Sequence, residues 1–288
     1  MKRIIFFLII VLPFIPLQSV FADSQTPSTI TLTAGQVSSA VDIEAAIISA
    51  TARGTRPGTV ILDGQKGPFV LTADDRSVNI FVSNLTLRGV NQAVIKNCDD
   101  GLFFDSFPLK HILVEGIMFL CTGDGVEATG VLRDVTLQNN VFQAANNGIG
   151  AGGYSSGWVI AGNLILAGGD GIRMTGAERA VISSNHVSAN TGIVLLQCSQ
   201  SQVHHNAVQA TYQGVLLGQE SWNNLAQANT ILGVSAAGIA LEPGVAGNTV
   251  AANKVQCALG VNCQTVDASA EIAKRNTIGG NNAPIIEI

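Results

Sequence analysis

The sequence predicts an all-β solenoid, in which short strands wind into stacked coils of about 22 residues each. A short apolar alternation recurs, as in residues 181–187 and 202–208, and this period of two is typical of a strand with one buried face. An asparagine returns every 21 to 24 residues, at Asn140, Asn163, Asn185, Asn206, Asn229, Asn253 and Asn276. A glycine returns with nearly the same period, at Gly101, Gly125, Gly148, Gly171, Gly192, Gly214, Gly238 and Gly260. Coils of this length have no room for the paired helices of ankyrin or tetratricopeptide repeats.

The repeated asparagines have two roles in such a coil. Asparagine tolerates the left-handed conformation that a tight bend requires. Stacked at one place on successive coils, asparagine amides also hydrogen-bond to the coils above and below. We therefore predict that all seven asparagines lie in one column.

The asparagine repeat, the Gly-Ile and Gly-Val pairs and the segment 84–89 (NLTLRG) resemble the right-handed parallel β-helix proteins of the pectate-lyase-like superfamily. The resemblance spans residues 59–282 and implies a single-stranded right-handed parallel β-helix of about nine coils. That superfamily includes lyases, glycoside hydrolases, sugar epimerases, adhesins and periplasmic accessory proteins. Activity must therefore be argued from a site rather than from the fold.

The N-terminus has the pattern of a secretory signal peptide over residues 1–22. Basic residues precede an apolar run, and Ala22 closes a stretch that suits signal peptidase. We expect cleavage after Ala22, a single β-helix domain over 23–288, and no membrane-spanning segment after cleavage. The expected location is secreted or periplasmic.

An amphipathic helix is predicted over residues 39–53, before the coils of 59–282 begin. Ser39 and Asp42 suit its N-terminal cap, and Gly54 suits its end. The expected apolar face comprises Val41, Ala45, Ile48 and Ala52. A solenoid has an open hydrophobic end that must be covered, and this helix is the expected cap.

Composition and cysteine usage limit the possible partners. Charged residues make up 12% of the chain and the net charge is −5, so phosphate neutralisation of nucleic acid is not expected. We expect a monomer. Cys98 and Cys121 fall at nearly the same place on adjacent coils, close enough for a disulfide. Cys257 and Cys263 could close a small loop.

The candidate site follows from the superfamily resemblance, in which substrate lies along one exterior sheet. Here the strands of that sheet start at the repeated glycines, and the polar residues gather on the first four coils. Glu127 and Arg173 lie two coils apart, with Gly150 and Gly152 forming a dip between them. The predicted catalytic residues are Glu127, Arg173, Asp124 and Asp170. The predicted substrate-binding residues are Asp100, Asp105, Asn147 and Tyr154. Either Tyr154 or Trp158 is the expected stacking surface for a sugar ring.

Three kinds of chemistry suit this cluster. Paired carboxylates suit glycoside hydrolysis, and a base beside an arginine suits β-elimination or epimerisation of a uronate. Clustered aspartates could instead hold Ca²⁺; apart from that possibility, no metal or cofactor is expected. Asp-Gly and Asn-Gly are also ordinary turn dipeptides, which gives the same residues a purely structural role.

The leading hypothesis is an exported protein that binds or processes an extracellular, acidic polysaccharide. The alternative is a non-catalytic periplasmic or surface scaffold or adhesin. Short loops such as 141–147 predict a shallow groove, and the Gly-His-Gly of polygalacturonases and the His and Asp cluster of alginate epimerases are missing. The two hypotheses differ over the polar cluster, because side chains that pair only locally favour the non-catalytic protein.

Overall fold

A computed structural model describes residues 27–72, 77–105 and 108–282 as an all-β parallel solenoid of about nine turns. The predicted signal peptide and the apolar segment 284–288 lie outside the described residues. Two short 3-10 helices, Ala34–Gln36 and Gly64–Lys66, lie near the N-terminal end. Two α-helices complete the fold: α1, Ala40–Thr51, and α2, Ala270–Arg275.

Each coil contributes strands to three columns of parallel neighbours. The first column contains Ser28–Thr33, Gly58–Asp63, Leu85–Val90, Leu109–Glu115, Leu132–Gln138, Val159–Ala161, Val181–Ser183, Gln202–His204, Leu225–Gln227, Thr249–Ala251 and Thr277–Gly279. The second contains Phe69–Val70, Val94–Cys98, Met118–Cys121, Val141–Ala144, Leu164–Ala167, Thr230–Val234 and Lys254–Cys257. The third contains Val78–Ile80, Leu102–Phe104, Val126–Ala128, Ile149–Ala151, Asp170–Thr175, Ala237–Leu241 and Gln264–Asp267. Two long strands, His186–Leu196 and Ala207–Gly218, belong to both the second and third columns.

The core lies inside the coils, where alternate strand residues stack on their counterparts in the next coil. Ile160, Ile182 and Val203 are fully buried and pair in register across three coils. The rings of Phe119 and Phe142 stack with centroids 5.2 Å apart. Apolar ladders of this kind hold a solenoid together through nearest-neighbour contacts.

A buried asparagine ladder joins the coils, as the sequence period predicts. In the ladder, each Oδ1 accepts both the backbone N–H and the side-chain amide of the asparagine one coil earlier. Asn185, for example, receives the backbone N–H of Asn163 at 3.0 Å and donates from Nδ2 to Ile160 O at 2.8 Å. The buried amide of each ladder asparagine is thereby hydrogen-bonded on both its oxygen and its nitrogen, as a buried polar group requires.

The left-handed residue of each turn is not the ladder asparagine, contrary to the expectation. It is the residue before it, with φ of 54° at Asn139, 56° at Ser184 and 55° at His205. The ladder asparagine follows the bend and directs its amide into the coil. Hydrogen bonding therefore explains why asparagine recurs at this position of each coil.

The last coil departs from the predicted repeat. Asn253 is followed in its column by Asn281, 28 residues later, and Asn276 instead ends a second ladder that runs through Asn224 and Asn248. The prediction that Asn276 belongs to the same ladder as Asn253 was therefore wrong. The last coil is lengthened mainly before its third-column strand: Gln264 lies eight residues after Gln256, whereas Ala237 lies five residues after the paired Leu232. The following segment, which contains α2, is only one residue longer than its counterpart.

The glycine column ends one coil earlier than predicted. Gly238 is opposed by Thr265, whereas Gly260 is a turn residue with a φ of 74° and no neighbour near its Cα hydrogens. Along the rest of the column each glycine lies against the carbonyl of the next, as at Gly171, where a Cβ would meet Gly192 O at 2.6 Å. The stacked glycines are thus required by close backbone approach.

Helix α1 caps the N-terminal end and is slightly shorter than predicted. Ser39 is its N-cap, in a reciprocal capping box with Asp42. The predicted apolar face was wrong, because Val41 is 53% exposed. The buried stripe is instead Ala40, Ile43, Ala46, Ile47 and Ala50, which follows the i, i+3, i+4 and i+7 pattern.

Two disulfides are present among the described residues. Cys98 bonds to Cys121 on the adjacent coil, with Cα atoms 4.6 Å apart, and Cys257 bonds to Cys263 within one coil. Cys198 is free and buried, and burial raises the pKa of its thiol to about 11. Because a protonated thiol is a poor nucleophile, Cys198 is not a candidate for a reactive site. Its burial gives it a packing role in the core.

Candidate functional site

The outer surface of the third column carries most of the predicted site residues, and we call it the Glu127 face. Its outward positions pair in register on successive coils: Asn79, Phe103, Glu127, Gly150, Arg173, Val194, Leu216, Ala240 and Asp267. Glu127 and Arg173 are therefore two coils apart, ~9.6 Å along the axis. Gly150 lies between them, and a Cβ there would approach Asp124 Oδ2 at 3.3 Å.

A second polar column borders the Glu127 face and links its coils. Asp100 Oδ1 accepts the backbone N–H of Asp124 at 2.8 Å, and Asp124 Oδ1 accepts that of Asn147 at 2.9 Å. Asn147 Oδ1 accepts that of Asp170 at 3.1 Å. These four predicted site residues therefore form a hydrogen-bonded column that is itself structural.

Glu127 differs from these aspartates. Within the described part of the chain it makes no hydrogen bond or ion pair. Burial raises the pKa of its carboxyl above the usual value, and the negative charges of Asp100 and Asp124 raise it further. Glu127 thus holds a proton more readily than an ordinary glutamate.

Arg173 pairs locally. Its Nη1 donates to Asp170 Oδ2 at 2.9 Å, and 45% of its side chain remains exposed. A guanidinium has five N–H donors, so most of them stay available to a ligand. The expected pairing of Arg173 with a substrate across the dip thus competes with one existing ion pair.

Arg173 and Asp170 also form one edge of a concave depression of about 350 Å³ in the Glu127 face. The depression has an apolar floor, to which Val194, Leu196 and Leu216 contribute. Tyr212, Gln213 and Glu242 provide aromatic and polar groups around it. Seven of its ten lining residues are polar or ionisable, so hydrogen bonds would provide most of the recognition of a ligand there.

The sequence did not reveal Tyr212, Gln213 and Glu242 as site residues. The available signal was Tyr212 itself, since the corresponding position two residues before the repeated glycine holds Asp99, Gly123, Asn146 and Gly169 in earlier coils. An aromatic residue among small and polar ones at a solvent-facing turn indicates a surface role.

Trp158 and Tyr154, which were both predicted near the site, lie away from the depression beside Arg173. Trp158 was wrongly expected at the surface; it is fully buried, and its ring packs edge-on against Phe104 with centroids 6.0 Å apart. Tyr154 is 87% exposed but belongs to a separate groove of about 470 Å³, the aromatic groove, which ends at Trp222. Asp105 follows the strand of Phe103 and is half-buried.

Residues 27–72, 77–105 and 108–282 contain no group of three or more His, Cys, Asp or Glu side chains placed to hold a metal ion. The calcium hypothesis therefore gains nothing from the aspartate column, whose oxygens already accept backbone N–H groups. Over the same residues no helix is both long and apolar enough to span a membrane.

Comparisons with known proteins agree with the coil geometry. No curated protein sequence matches the chain. Among solved structures, ORF18 of Geobacillus virus E2 is similar with a TM-score of 0.56 and 11% identity, over 88% of this chain and 60% of that chain. The A-module of the mannuronan C-5 epimerase AlgE6 of Azotobacter vinelandii has a TM-score of 0.47 and 13% identity, over 89% of this chain and all of that module. PfbA, a surface adhesin of Streptococcus pneumoniae, has a TM-score of 0.49 and 11% identity, over 88% and 90%.

Identities this low concern the fold alone. The family assignment comes from residues 75–255, which match the family model described as the right handed beta helix region. These residues contain most of the coils, the glycine column and the start of both asparagine ladders. The chain therefore belongs to the right-handed β-helix family, as the sequence resemblance implied.

Proposed function

We propose that this protein binds an acidic polysaccharide along the Glu127 face, with one sugar carboxylate on Arg173. The observation that carries the proposal is the depression beside Arg173, which combines an apolar floor, an exposed tyrosine and a guanidinium with free donors. Sugar C–H groups suit the floor of Val194 and Leu216, and a uronate carboxylate suits the planar fork of arginine. Tyr212, half-exposed, offers a ring against which a sugar can stack.

Binding without turnover is the better supported form of this function. The side chains of three predicted site residues, Asp100, Asp124 and Asn147, each accept a backbone N–H of the next coil. The carboxylate of Asp170 instead pairs with Arg173. Groups tied in this way are poor candidates for proton transfer. The alternative of a scaffold or adhesin is compatible with such binding.

The disulfides support the same proposal. Two disulfides among the described residues suit an oxidising compartment, either the periplasm or the cell exterior. Polysaccharides of the cell envelope are met in both places.

Replacing Arg173 by alanine should weaken the binding of acidic oligosaccharides by about 1.5 to 3 kcal/mol, the range for a hydrogen bond to a charged group. Calorimetric titration with oligogalacturonate and oligoalginate at low salt measures the change. Arg88→Ala is the matched control, because Arg88 is also exposed and locally paired, with Glu115 in the first column. Measurable binding with equal affinity in wild type and Arg173→Ala would exclude Arg173 as the carboxylate site, and no binding by the wild type would leave the scaffold alternative.

The raised pKa of Glu127 predicts that binding of the acidic oligosaccharide depends on pH. The raised pKa means that its carboxyl becomes neutral at a higher pH than an ordinary glutamate, whereas the sugar carboxylates stay charged. Repulsion between Glu127 and the ligand therefore disappears as the pH falls through that raised pKa, and the acidic ligand should bind more tightly. Glu127→Gln should bind tightly at neutral pH and lose this part of the pH dependence. The exposed helix residue Glu271, replaced by Gln, is the control that should keep the wild-type profile.

A second candidate function, acid–base catalysis at Glu127, is favoured by the same raised pKa. A carboxyl that holds its proton is suited to protonate a glycosidic oxygen, and its ionised form is suited to remove a proton beside a uronate. Reducing ends, unsaturated products and C-5 inversion, followed on pectin, alginate and glycosaminoglycans, distinguish hydrolase, lyase and epimerase. Turnover that vanishes in Glu127→Gln while binding persists would establish catalysis; absence of all three products in the wild type would leave binding alone.

A further inference from the structure

The aromatic groove follows the solenoid axis at the turn between the third and first columns. Parallel bridges connect Arg133, Ser156, Glu178, Ser199 and Trp222 on five successive coils, so these residues form one line. Tyr154 lies two residues before Ser156, and three coil spacings of ~4.8 Å separate the Ser156 and Trp222 ends, about 14 Å in all. The groove is thus longer than a single sugar and matches a short oligosaccharide.

The aromatic side chains occupy its two ends. Tyr154 is 87% exposed and Trp222 is 43% exposed, although large apolar rings ordinarily gain by burial. Both line the groove of about 470 Å³, a volume within the range of small-molecule sites. An exposed aromatic at each end of a polar trough provides two stacking surfaces for one extended ligand.

The groove between them is polar, and its charges balance. Ser156 and Ser199 contribute hydroxyls, and Glu178 and Glu220 contribute carboxylates. Arg133 also lines the groove, and Arg179 pairs with Glu178 at 3.6 Å, so two guanidiniums stand against the two carboxylates. The buried Oγ of neighbouring Ser155 has no hydrogen-bond partner among the described residues. Hydroxyls, carboxylates and guanidiniums hydrogen-bond well to sugar hydroxyl groups, and a groove whose charges balance suits a ligand without charge.

We propose that the aromatic groove binds a neutral linear oligosaccharide, stacked on Tyr154 and Trp222 and hydrogen-bonded by the polar residues between them. This is a second site, independent of the proposed acidic site, because its lining shares no residue with the depression beside Arg173. A protein with both sites would hold two chemically different glycans on adjacent surfaces.

Tryptophan fluorescence tests the proposal in the unaltered protein. The chain has two tryptophans, Trp158 fully buried and Trp222 exposed, so acrylamide quenching reports on Trp222. The probes are cellopentaose, xylopentaose and mannopentaose, with an oligogalacturonate pentamer as the acidic comparison. At least one neutral pentaose should protect Trp222 from quenching. If none of the three protects it at millimolar concentration, the proposal is overturned.

Variants then locate the ligand. Trp222→Ala should weaken binding of the protecting pentaose by about tenfold or more, as loss of an interface tryptophan commonly does, and Trp222→Phe should retain most of it. Tyr154→Ala should weaken it as well. Tyr212→Ala is the matched control, since Tyr212 is equally a surface tyrosine but lies on the Glu127 face.

Two outcomes of the variant series contradict the proposal. Unchanged affinity in Trp222→Ala would do so, and so would a loss in Tyr212→Ala equal to that in Trp222→Ala, which would place the neutral ligand on the Glu127 face. Arg173→Ala should leave binding of the neutral pentaose unchanged. Failure of the acidic site therefore shows only in the acidic titration, and failure of the aromatic groove only in the neutral one.

Discussion

Replacing Ile182 by aspartate is expected to unfold the middle coils of the solenoid. Ile182 has no exposed surface, and it pairs in register with Ile160 on one side and Val203 on the other. An unpaired carboxylate there loses its hydration with no cation to compensate, which destabilises the fold by several kcal/mol. That is a large share of the free energy of unfolding of a typical domain, about 5 to 15 kcal/mol.

Thermal unfolding followed by far-UV circular dichroism measures this effect. Ser184→Asp is the control two residues away, because Ser184 is exposed and its left-handed backbone is one that aspartate tolerates. Ile182→Asp should lower the melting temperature strongly or prevent folding, and Ser184→Asp should leave it nearly unchanged. Equal melting temperatures for the wild type and Ile182→Asp would show that the strand faces are assigned the wrong way round.

Replacing Asn206 by alanine should be the next most damaging change. The Asn206 amide donates to Ile182 O at 2.9 Å and to Asn229 Oδ1 at 3.0 Å, and its Oδ1 accepts the backbone N–H of Asn185 at 3.0 Å. Alanine leaves several buried groups without partners, at about 1 to 3 kcal/mol for each. The loss therefore exceeds that of an ordinary surface substitution several-fold.

Two further variants isolate the ladder contribution. Asn206→Ser should recover part of the loss, because Ser201 Oγ accepts the equivalent bond from the Ala180 backbone N–H at 3.1 Å at the start of the second ladder. Asn146→Ala, at an exposed turn, should leave the melting temperature within a degree or two of the wild type. A melting temperature that is equally unaffected in Asn206→Ala would mean that the ladder bonds are replaced by water.

The sequence predicts the coil of this protein well because the repeat is enforced by packing. Each ladder asparagine and each stacked glycine occupies a place where other residues leave unpaired amides or clash with a backbone carbonyl. Asn276 and Gly260 were misplaced because the turn between Gln256 and Gln264 is longer than the corresponding turn one coil earlier. Their spacings of 23 and 22 residues matched the period although the geometry had changed.

The site was predicted less completely than the fold. The register of Glu127, Gly150 and Arg173 follows from the glycine period. The depression beside Arg173 does not, because Tyr212 and Glu242 come from different positions in their coils. Tyr154 and Trp222 lie six and eight residues after their repeated glycines, so no fixed period aligns the two ends of the aromatic groove.

The asparagine ladder also allows the number of coils to change during evolution. Each ladder amide from Asn163 to Asn229 contacts only the coil before it and the coil after it, with the same bonds at every step. Tandem duplication of one such coil would insert another identical step and leave every other step unchanged. The gene could thereby lengthen both proposed glycan sites by ~4.8 Å at a time, while α1 and α2 remain at the two ends.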